Sequence, residues 1–305
     1  MIVARTITEA RAALRELPRP LGFVPTMGAL HAGHLSLVEA AGGRCASVTA
    51  SVFVNPTQFG RDEDLSTYPR DEVRDLRLLE EAGVAVVFAP DADEMYPRGF
   101  ATLVHVGGAL TESFEGASRP SHFDGVAVIL TKLLGVVQPD VLFLGEKDAQ
   151  QLAVVRRFVR DLDLPVEVAG VPTLREPDGL AMSSRNVYLT PEQRAAAPDL
   201  YRSLLAGAAA AEAPGANANN VVSAATDVLT PTFGLDYLAV VDADTFVQTT
   251  ELGPRSVLVV AAHLGSIRLI DNLSLAAPAA GRPLTTSSSS AYPAKDATAR
   301  KEGPP

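Results

Sequence analysis

The chain has 305 residues, of which 47% are hydrophobic and 20% charged, enough for a large core and two domains. Its formal net charge of −10 argues against a nucleic-acid partner, and its single cysteine, Cys45, excludes an internal disulfide and a four-cysteine zinc site. Residues 1–15 do not resemble a secretory signal, and the most apolar stretch, 126–137, is too short to span a bilayer. We therefore expect a cytoplasmic protein that is not embedded in a membrane.

Strand-like and helix-like segments alternate through the first half of the chain. The strand-like segments are short and rich in valine, and they occupy residues 21–24, 47–54, 85–89, 141–144 and 166–171. The helix-like segments occupy residues 35–41, 71–82, 126–137 and 149–162. This alternation predicts an α/β fold, a Rossmann-like parallel sheet with helices on both faces. Ligands bind beyond the carboxyl ends of such strands, which directs attention to loops 25–34, 55–59 and 145–151.

The pattern changes after residue 173. Alanine-rich helix-like segments occupy residues 191–213 and 216–229, and strand-like segments occupy residues 235–241, 256–262 and 264–270. We therefore predict a first domain over residues 1–173 and a smaller α+β domain over residues 174–276. Residues 277–305 lack the apolar content to fold and are predicted to be a disordered tail.

The loop after the strand at 21–24 carries two histidines, His31 and His34, with Gly28 and Gly33 beside them. A strand, a glycine-bearing turn and a helix start expose backbone N–H groups and a helix dipole, which suits an anion. The glycines let a phosphate approach the backbone, and the imidazoles add hydrogen-bond donors. The His-x-Gly-His spacing resembles the nucleotide-binding motif of the nucleotidyltransferase superfamily.

Polar side chains follow two further strands. Asn55 and Gln58 offer uncharged donors and acceptors for a small polar substrate, although a plain Asn-Pro turn explains the same pattern. Lys147 is a point charge that can reach phosphates, and Asp148 is placed to accept from a ribose hydroxyl. Gln151 lies one helical turn after Lys147 and shares its face. A solvated helix start explains this second string equally well.

A fourth polar string lies in residues 178–186. Ser183, Ser184 and Arg185 place two hydroxyls and a guanidinium in one loop, and arginine can bind a phosphate through two parallel hydrogen bonds. Taken alone, this string is better explained as a polar turn ahead of the helix that begins at Pro191.

Together, in this order over residues 1–275, the strings resemble the pantothenate synthetases, ATP-dependent ligases that join pantoate to β-alanine. The resemblance is carried by residues 25–34, 52–59, 145–148 and 182–186, with support from 68–70, 119–123 and 268–272. It implies condensation of (R)-pantoate with β-alanine through a pantoyl adenylate, with release of AMP and pyrophosphate. It also implies Mg²⁺ on the ATP phosphates and a homodimer.

The resemblance further implies roles for individual residues. The residues implied to bind ATP are Met27, Gly28, Ala29, Leu30, His31, Ala32, Gly33, His34, Gly145, Glu146, Lys147, Asp148, Leu174, Met182, Ser183, Ser184 and Arg185. The implied catalytic residues are His34, His31, Lys147, Arg185, Ser183 and Ser184. The implied substrate contacts are Gln58, Gln151 and Asn55. Leu174 and Ala149 depart from the valine and the aromatic residue usual in the family. A protein ligand for Mg²⁺ is not evident, with Asp75 the one candidate.

Other interpretations remain open at this point. A nucleotidyltransferase acting on a small phosphorylated acceptor shares the histidine loop but does not explain Gln58 and Gln151. A non-catalytic ATP-binding regulator is distinguished by the absence of pyrophosphate release, and a metal-dependent hydrolase by its response to chelation. His105 and His263, in strand-like segments, are expected to be structural. His122 is expected to line either the site or a subunit contact.

Overall fold

Six parallel strands form the larger of two sheets in the computed structural model, which describes residues 1–60, 65–66, 68–229 and 231–276. The predicted tail at 277–305 lies outside the described residues. The strands are β1 (Ile2–Ala4), β2 (Leu21–Thr26), β3 (Ser47–Val52), β4 (Val86–Phe88), β5 (Val141–Gly145) and β6 (Glu167–Val171). Their order across the sheet is β1-β4-β3-β2-β5-β6, and all pairs are parallel.

Strand β2 lies where the chain changes its direction of travel across the sheet. It pairs with β3 on one side and with β5 on the other. From β2 the chain moves outward through β3 to β4 and later returns to β5. In open α/β sheets, ligands bind in the crevice at such a switch point. The loops that follow β2 and β5 therefore flank one crevice.

Helices cover both faces of this sheet. They are α1 (Ile7–Arg15), α2 (Ala32–Gly42), α3 (Glu72–Glu81), α4 (Ala92–Met95), α5 (Ala109–Glu112), α6 (Glu115–Ser118), α7 (His122–Val137) and α8 (Ala149–Asp161). Leu14, Leu133 and Phe158 of α1, α7 and α8 belong to one buried cluster, and Leu37 and Leu79 of α2 and α3 belong to a second. The predicted Rossmann-like α/β fold is thus confirmed. Neither β1 nor α1 was predicted.

Local sequence signals set several helix ends. Thr6 and Glu9 form a reciprocal capping box at the start of α1, which satisfies backbone N–H groups that have no partner within the helix. Asp71 accepts from Arg74 N at the start of α3. Gly83, at φ +82°, ends the same helix, as its position in the sequence predicts.

Three antiparallel strands form the second sheet, which packs against helices of its own. Its elements are α9 (Pro191–Ala196), α10 (Asp199–Ala211), α11 (Ala218–Thr226), β7 (Gly234–Asp242), β8 (Ser256–Leu264) and β9 (Ile267–Ser274). The strand order is β7-β8-β9. Leu204 and Val221 of the helices are buried with Leu258 and Val260 of β8. The predicted smaller α+β unit is confirmed, and its boundary at residue 174 stays a prediction.

Two predicted elements in this part are wrong in their bounds. The single helix predicted over 191–213 is divided into α9 and α10, because Pro198 at the junction has no N–H to continue the hydrogen-bond ladder. The strand predicted over 264–270 instead begins at Ile267, because Gly265 adopts φ +61° in the turn that joins β8 to β9. In the part of the chain that the structure describes, no helix combines the length and apolar character needed to cross a membrane.

Candidate active site

The predicted loops line one cavity at the carboxyl edge of the parallel sheet, at the switch point beside β2. The sequence-predicted residues that line it are Met27, His31, Gly33, His34, Asn55, Gln58, Gly145, Lys147, Asp148, Gln151, Leu174, Met182, Ser183, Ser184 and Arg185. The remaining ones belong to the same loops without lining the cavity, namely Gly28, Ala29, Leu30, Ala32 and Glu146. The roles of all these residues stay predictions.

The two histidines at the start of α2 are fixed by their own backbone. The His31 Nδ1 atom accepts from Gly33 N at 3.1 Å, and the His34 Nδ1 atom accepts from His31 N at 3.4 Å. A neutral imidazole that accepts at Nδ1 carries its hydrogen on Nε2. The ring centroids lie 4.1 Å apart. Each ring is therefore held as an uncharged Nε2–H donor.

Burial keeps both rings neutral. It lowers the pKa of His31 to about 4, with a further contribution from the Lys147 charge, and it lowers the pKa of His34 to about 3, with a contribution from His31. At neutral pH the two uncharged rings thus offer hydrogen-bond donors to an anion. The positive charge of the cavity must come from other residues.

These shifts predict a pH dependence of stability. Below about pH 6.5 the unfolded chain binds protons that the folded histidines do not, so the free energy of unfolding should fall as the pH decreases toward 4. Substituting His31→Asn removes one such group and keeps a good N-cap. Between about pH 4 and 6.5, we expect this substitution to reduce the slope of the free energy of unfolding against pH by up to about 1.4 kcal/mol per pH unit. Urea unfolding of both proteins across the window measures the slopes, and equal slopes would contradict the assignment of a neutral His31.

Asp75 of α3 holds the loop that precedes these histidines. It is 1% exposed, and its two carboxylate oxygens accept from Ala29 N and Leu30 N, each at 2.8 Å. Ala29 has φ +50°, a left-handed conformation that needs such support. Burial raises the pKa of Asp75 despite these two hydrogen bonds. Because both oxygens accept from the backbone, the contacts favour loop positioning over the metal role considered for this residue.

The loop after β3 presents Gln58 to the cavity and uses Asn55 to hold it there. Asn55 is 1% exposed, and its amide donates to Gln58 Oε1 at 3.0 Å and to Gly125 O at 3.1 Å. Its Oδ1 atom accepts from Tyr96 OH at 2.7 Å. Both amide hydrogens of Asn55 are engaged within the protein. These contacts favour a positioning role for Asn55, which the resemblance had placed among the substrate contacts.

Helix α7 also contacts the loop that carries Gln58. His122 Nδ1 donates to Gln58 O at 2.8 Å, and Arg119 lies 3.1 Å from His122 Nε2. His122 lines the cavity, which agrees with the first of its two expected positions. His105, by contrast, lies outside the strands and pairs with Asp124 at 2.8 Å, so its expected strand position is wrong.

Lys147 supplies positive charge at the end of β5. It lies in the 3₁₀ turn Glu146–Asp148, and its Nζ atom is 3.5 Å from Asp148 Oδ1. Burial opposes ionisation of Asp148, but the charges of Lys147 and Arg185 outweigh it and lower the pKa of that carboxyl. Gln151 follows on the first turn of α8 and lines the same cavity. This edge of the cavity therefore combines a cation, an ionised acceptor and an amide.

Residues 182–185, which are called the clamp from here on, line the same cavity. Ser183 caps the 3₁₀ helix Ser184–Tyr188 by accepting from Arg185 N at 3.3 Å. Tyr68 OH lies 3.5 Å from Ser184 Oγ, so a distant segment also contacts the clamp. Two hydroxyls and a guanidinium thus meet the cavity within one short turn.

The two departures from the family pattern are accommodated locally. The Leu174 carbonyl accepts from Met182 N at 3.0 Å, a main-chain contact that does not depend on the side chain. Ala149 begins α8 and packs against the buried cluster that contains Phe123 and Phe246. A small residue therefore fits at this position.

Sequence reasoning missed a charged network that joins the second sheet to the cavity wall. Arg268 donates to both carboxylate oxygens of Glu115, at 2.9 and 2.6 Å, and to Asp236 at 2.7 Å. Tyr237 OH donates to Glu115 Oε1 at 2.8 Å, and Gln150 Oε1 accepts from Glu115 N at 2.9 Å. Burial raises the pKa of Tyr237, so its hydroxyl stays protonated. The one sequence feature that pointed to this network was the string at 268–272, which contains Arg268.

Comparisons with known proteins give a consistent result. The family model described as pantoate-beta-alanine ligase matches residues 2–274. The pantothenate synthetase of Chloroflexus aggregans is 53% identical over 276 residues, covering 89% of this chain and 99% of that protein. The pantothenate synthetase of Thermus thermophilus is 53% identical over 276 residues, covering 90% of this chain and 99% of that protein.

Solved structures show the same likeness. The crystal structure of pantothenate synthetase from Thermus thermophilus matches with a TM-score of 0.87 at 52% identity, covering 91% of this chain and 100% of that one. The pantoate-beta-alanine ligase from Francisella tularensis, complexed with beta-gamma ATP and beta-alanine, matches with a TM-score of 0.75 at 32% identity. That match covers 90% of this chain and 98% of the other.

Proposed function

Because the chain belongs to the pantoate–β-alanine ligase family, we propose that its cavity carries out the ATP-dependent condensation of (R)-pantoate with β-alanine through a pantoyl adenylate. The observation that carries this proposal is the convergence of four separated loops on one cavity at the switch point of the sheet. ATP is the co-substrate, as in the nucleotide-bound relative.

The reaction has two steps. A pantoate carboxylate oxygen attacks the α-phosphorus of ATP, the bond to the bridging oxygen breaks, and pyrophosphate leaves. The β-alanine amine then attacks the acyl carbon of the adenylate, AMP leaves, and the nitrogen loses a proton to give pantothenate. Because phosphate activates the acyl group, no covalent nucleophile from the protein is required.

The protein contributes positioning and charge stabilisation. The Nε2–H groups of His31 and His34 donate to the phosphates at the start of α2, where the helix dipole also favours an anion. Lys147 and Arg185 both line the cavity, and both supply positive charge close to Asp148. Together these groups stabilise the negative charge that builds up as pyrophosphate leaves.

We propose that Mg²⁺ enters bound to the phosphates of ATP, as part of the substrate. Within the described ranges, no three His, Cys, Asp or Glu residues are grouped in a way that could hold a metal ion. Asp75 has both oxygens engaged by the backbone. The metal ligands would then be phosphate oxygens and water.

We expect Gln58→Ala to weaken the use of pantoate and leave ATP binding unchanged. The loss of one neutral hydrogen bond costs about 1 kcal/mol, so the pantoate KM should rise about fivefold. Steady-state kinetics at saturating ATP measures this, with Gln248→Ala, an exposed glutamine beyond β7, as the matched control. An unchanged pantoate KM in Gln58→Ala would exclude the assigned contact.

Pantoate-dependent exchange of labelled pyrophosphate into ATP tests the proposal directly. It reports the first chemical step without β-alanine. A nucleotidyltransferase acting on a phosphorylated acceptor, or a non-catalytic ATP-binding regulator, would show no exchange with pantoate. Product analysis then separates an amide and AMP from a nucleotide adduct.

We also propose a cytoplasmic homodimer, on the family resemblance alone. Light scattering coupled to size-exclusion chromatography would give the mass in solution, and a monomer at micromolar concentration would contradict the proposal.

A further inference from the structure

Two consecutive residues of strand β9, Asp271 and Asn272, contact the segment that leads into the clamp and the turn that carries Lys147. Both line the cavity, and both lie in the string at 268–272, to which the proposed function gives no role. In β9 they pair with Val260 and Val259 of β8. A paired strand is a firmer support than a loop, so residues held there can fix the geometry of the loops that they contact.

Asn272 holds the turn that carries Lys147. Its Nδ2 atom donates to Glu146 O and to Lys147 O, each at 2.9 Å. An amide group has two hydrogens, and here both are given to consecutive carbonyls of one turn. A rotation of that turn that moved the lysine would break at least one of these bonds. The turn is thereby fixed from a strand more than a hundred residues further along the chain.

Asp271 holds the base of the clamp loop. Its buried carboxylate accepts two hydrogen bonds from the half-buried Arg175, at 2.6 and 2.9 Å. The Arg175 guanidinium lies 3.7 Å from the centre of the Tyr201 ring and donates to Gly179 O. Arg175 also forms a backbone bridge with Ala181, immediately before the clamp. The loop that presents Arg185 is therefore anchored to the same strand.

We propose that Asn272 is a positioning residue for Lys147, and that Asp271 and Asn272 together set the spacing between Lys147 and the clamp. The inference rests on the proposed function, which gives Lys147 and Arg185 their phosphates. A shift of about 1 Å in a charge-stabilising group can cost up to a hundredfold in rate, so an indirect residue of this kind has a measurable effect.

The test is a double-mutant cycle in the full-length enzyme, read by pantoate-dependent pyrophosphate exchange. Asn272→Ala should lower the exchange rate about tenfold and leave the pantoate KM unchanged. In the Lys147→Ala background the same substitution should lower the rate less than twofold, because the group that it positions is gone. Asn272→Asp, equal in shape but without a donor, should lose at least as much as Asn272→Ala. Ser274→Ala, exposed on the same strand, is the control.

Two results would overturn the inference. One is an Asn272→Ala enzyme that keeps more than half of the normal rate. The other is an equal fold-loss in both backgrounds, which would show a general structural effect. Failure of the proposed function gives a different pattern, since the unmodified enzyme would then show no exchange with pantoate or Lys147→Ala would retain the normal rate.

Discussion

Replacing Lys147 with alanine is expected to slow adenylate formation at least tenfold while the fold survives. The lysine is 19% exposed and lies 3.5 Å from an ionised Asp148, so its removal leaves a carboxylate facing the incoming phosphates. Loss of one charge-assisted contact costs roughly 1.5–3 kcal/mol, which corresponds to about one to two decades in rate. The rate of pantoyl adenylate formation in a single turnover measures this step. His34→Ala, which removes an Nε2–H donor, should fall in the same range.

Lys132→Ala is the matched control for this experiment. Lys132 lies on α7 with its ammonium 4.9 Å from the centre of the Phe100 ring, away from the cavity lining. It should retain the normal rate, and thermal unfolding should show all three variants folded. Turnover close to normal in both Lys147→Ala and His34→Ala would refute the assigned roles.

Replacing Gly125 with alanine is expected to reduce kcat/KM for pantoate by about a hundredfold. A Cβ at this position on α7 would lie 2.3 Å from Thr57 O and 2.6 Å from Gln58 Cα, distances that real atoms do not tolerate. The obstructing atoms are backbone, so the loop that presents Gln58 must move. Displacement of about 1 Å costs on the order of 10² in rate, and overpacking costs roughly 1–3 kcal/mol of stability.

The same helix provides the control. An added Cβ at Gly135 meets no atom within 4 Å. Gly135→Ala should therefore be neutral or should stabilise the helix by up to about 1 kcal/mol. Pantoate kinetics and thermal unfolding of the two variants separate loop displacement from a general effect of alanine on α7. Normal pantoate kinetics in Gly125→Ala would contradict the close approach of helix and loop.

The sequence predicted the cavity well where local patterns decide position. Short apolar runs marked β2, β3 and β5, and polar residues directly after them had to meet at one edge because parallel strands end together. Lys147 and Gln58 were found in this way. The clamp was predicted only through the family resemblance, because nothing local distinguishes a polar turn from a phosphate-binding one, and its role stays a prediction.

The supporting residues could not be predicted from sequence because their partners are distant in the chain. Asp75 acts on Ala29, Gly125 on Gln58, and Glu115 on Arg268. An isolated glycine or carboxylate carries no sign of such a contact. The short helices α5 and α6 were missed for a related reason, since they begin after positive φ angles at Gly108 and Phe114 rather than from a repeating pattern.

The dependence of the Lys147 turn on β9 also bears on the order in which the molecule is made. β9 ends at Ser274, so nearly all of the described chain must leave the ribosome before Asn272 can reach the carbonyls of Glu146 and Lys147. The parallel sheet, complete by residue 171, emerges well before that. A nascent chain therefore has all the strands of the parallel sheet before it has Asn272, which holds the turn of Lys147. Truncated products of interrupted translation that end before residue 272 would lack the two hydrogen bonds that hold the Lys147 turn.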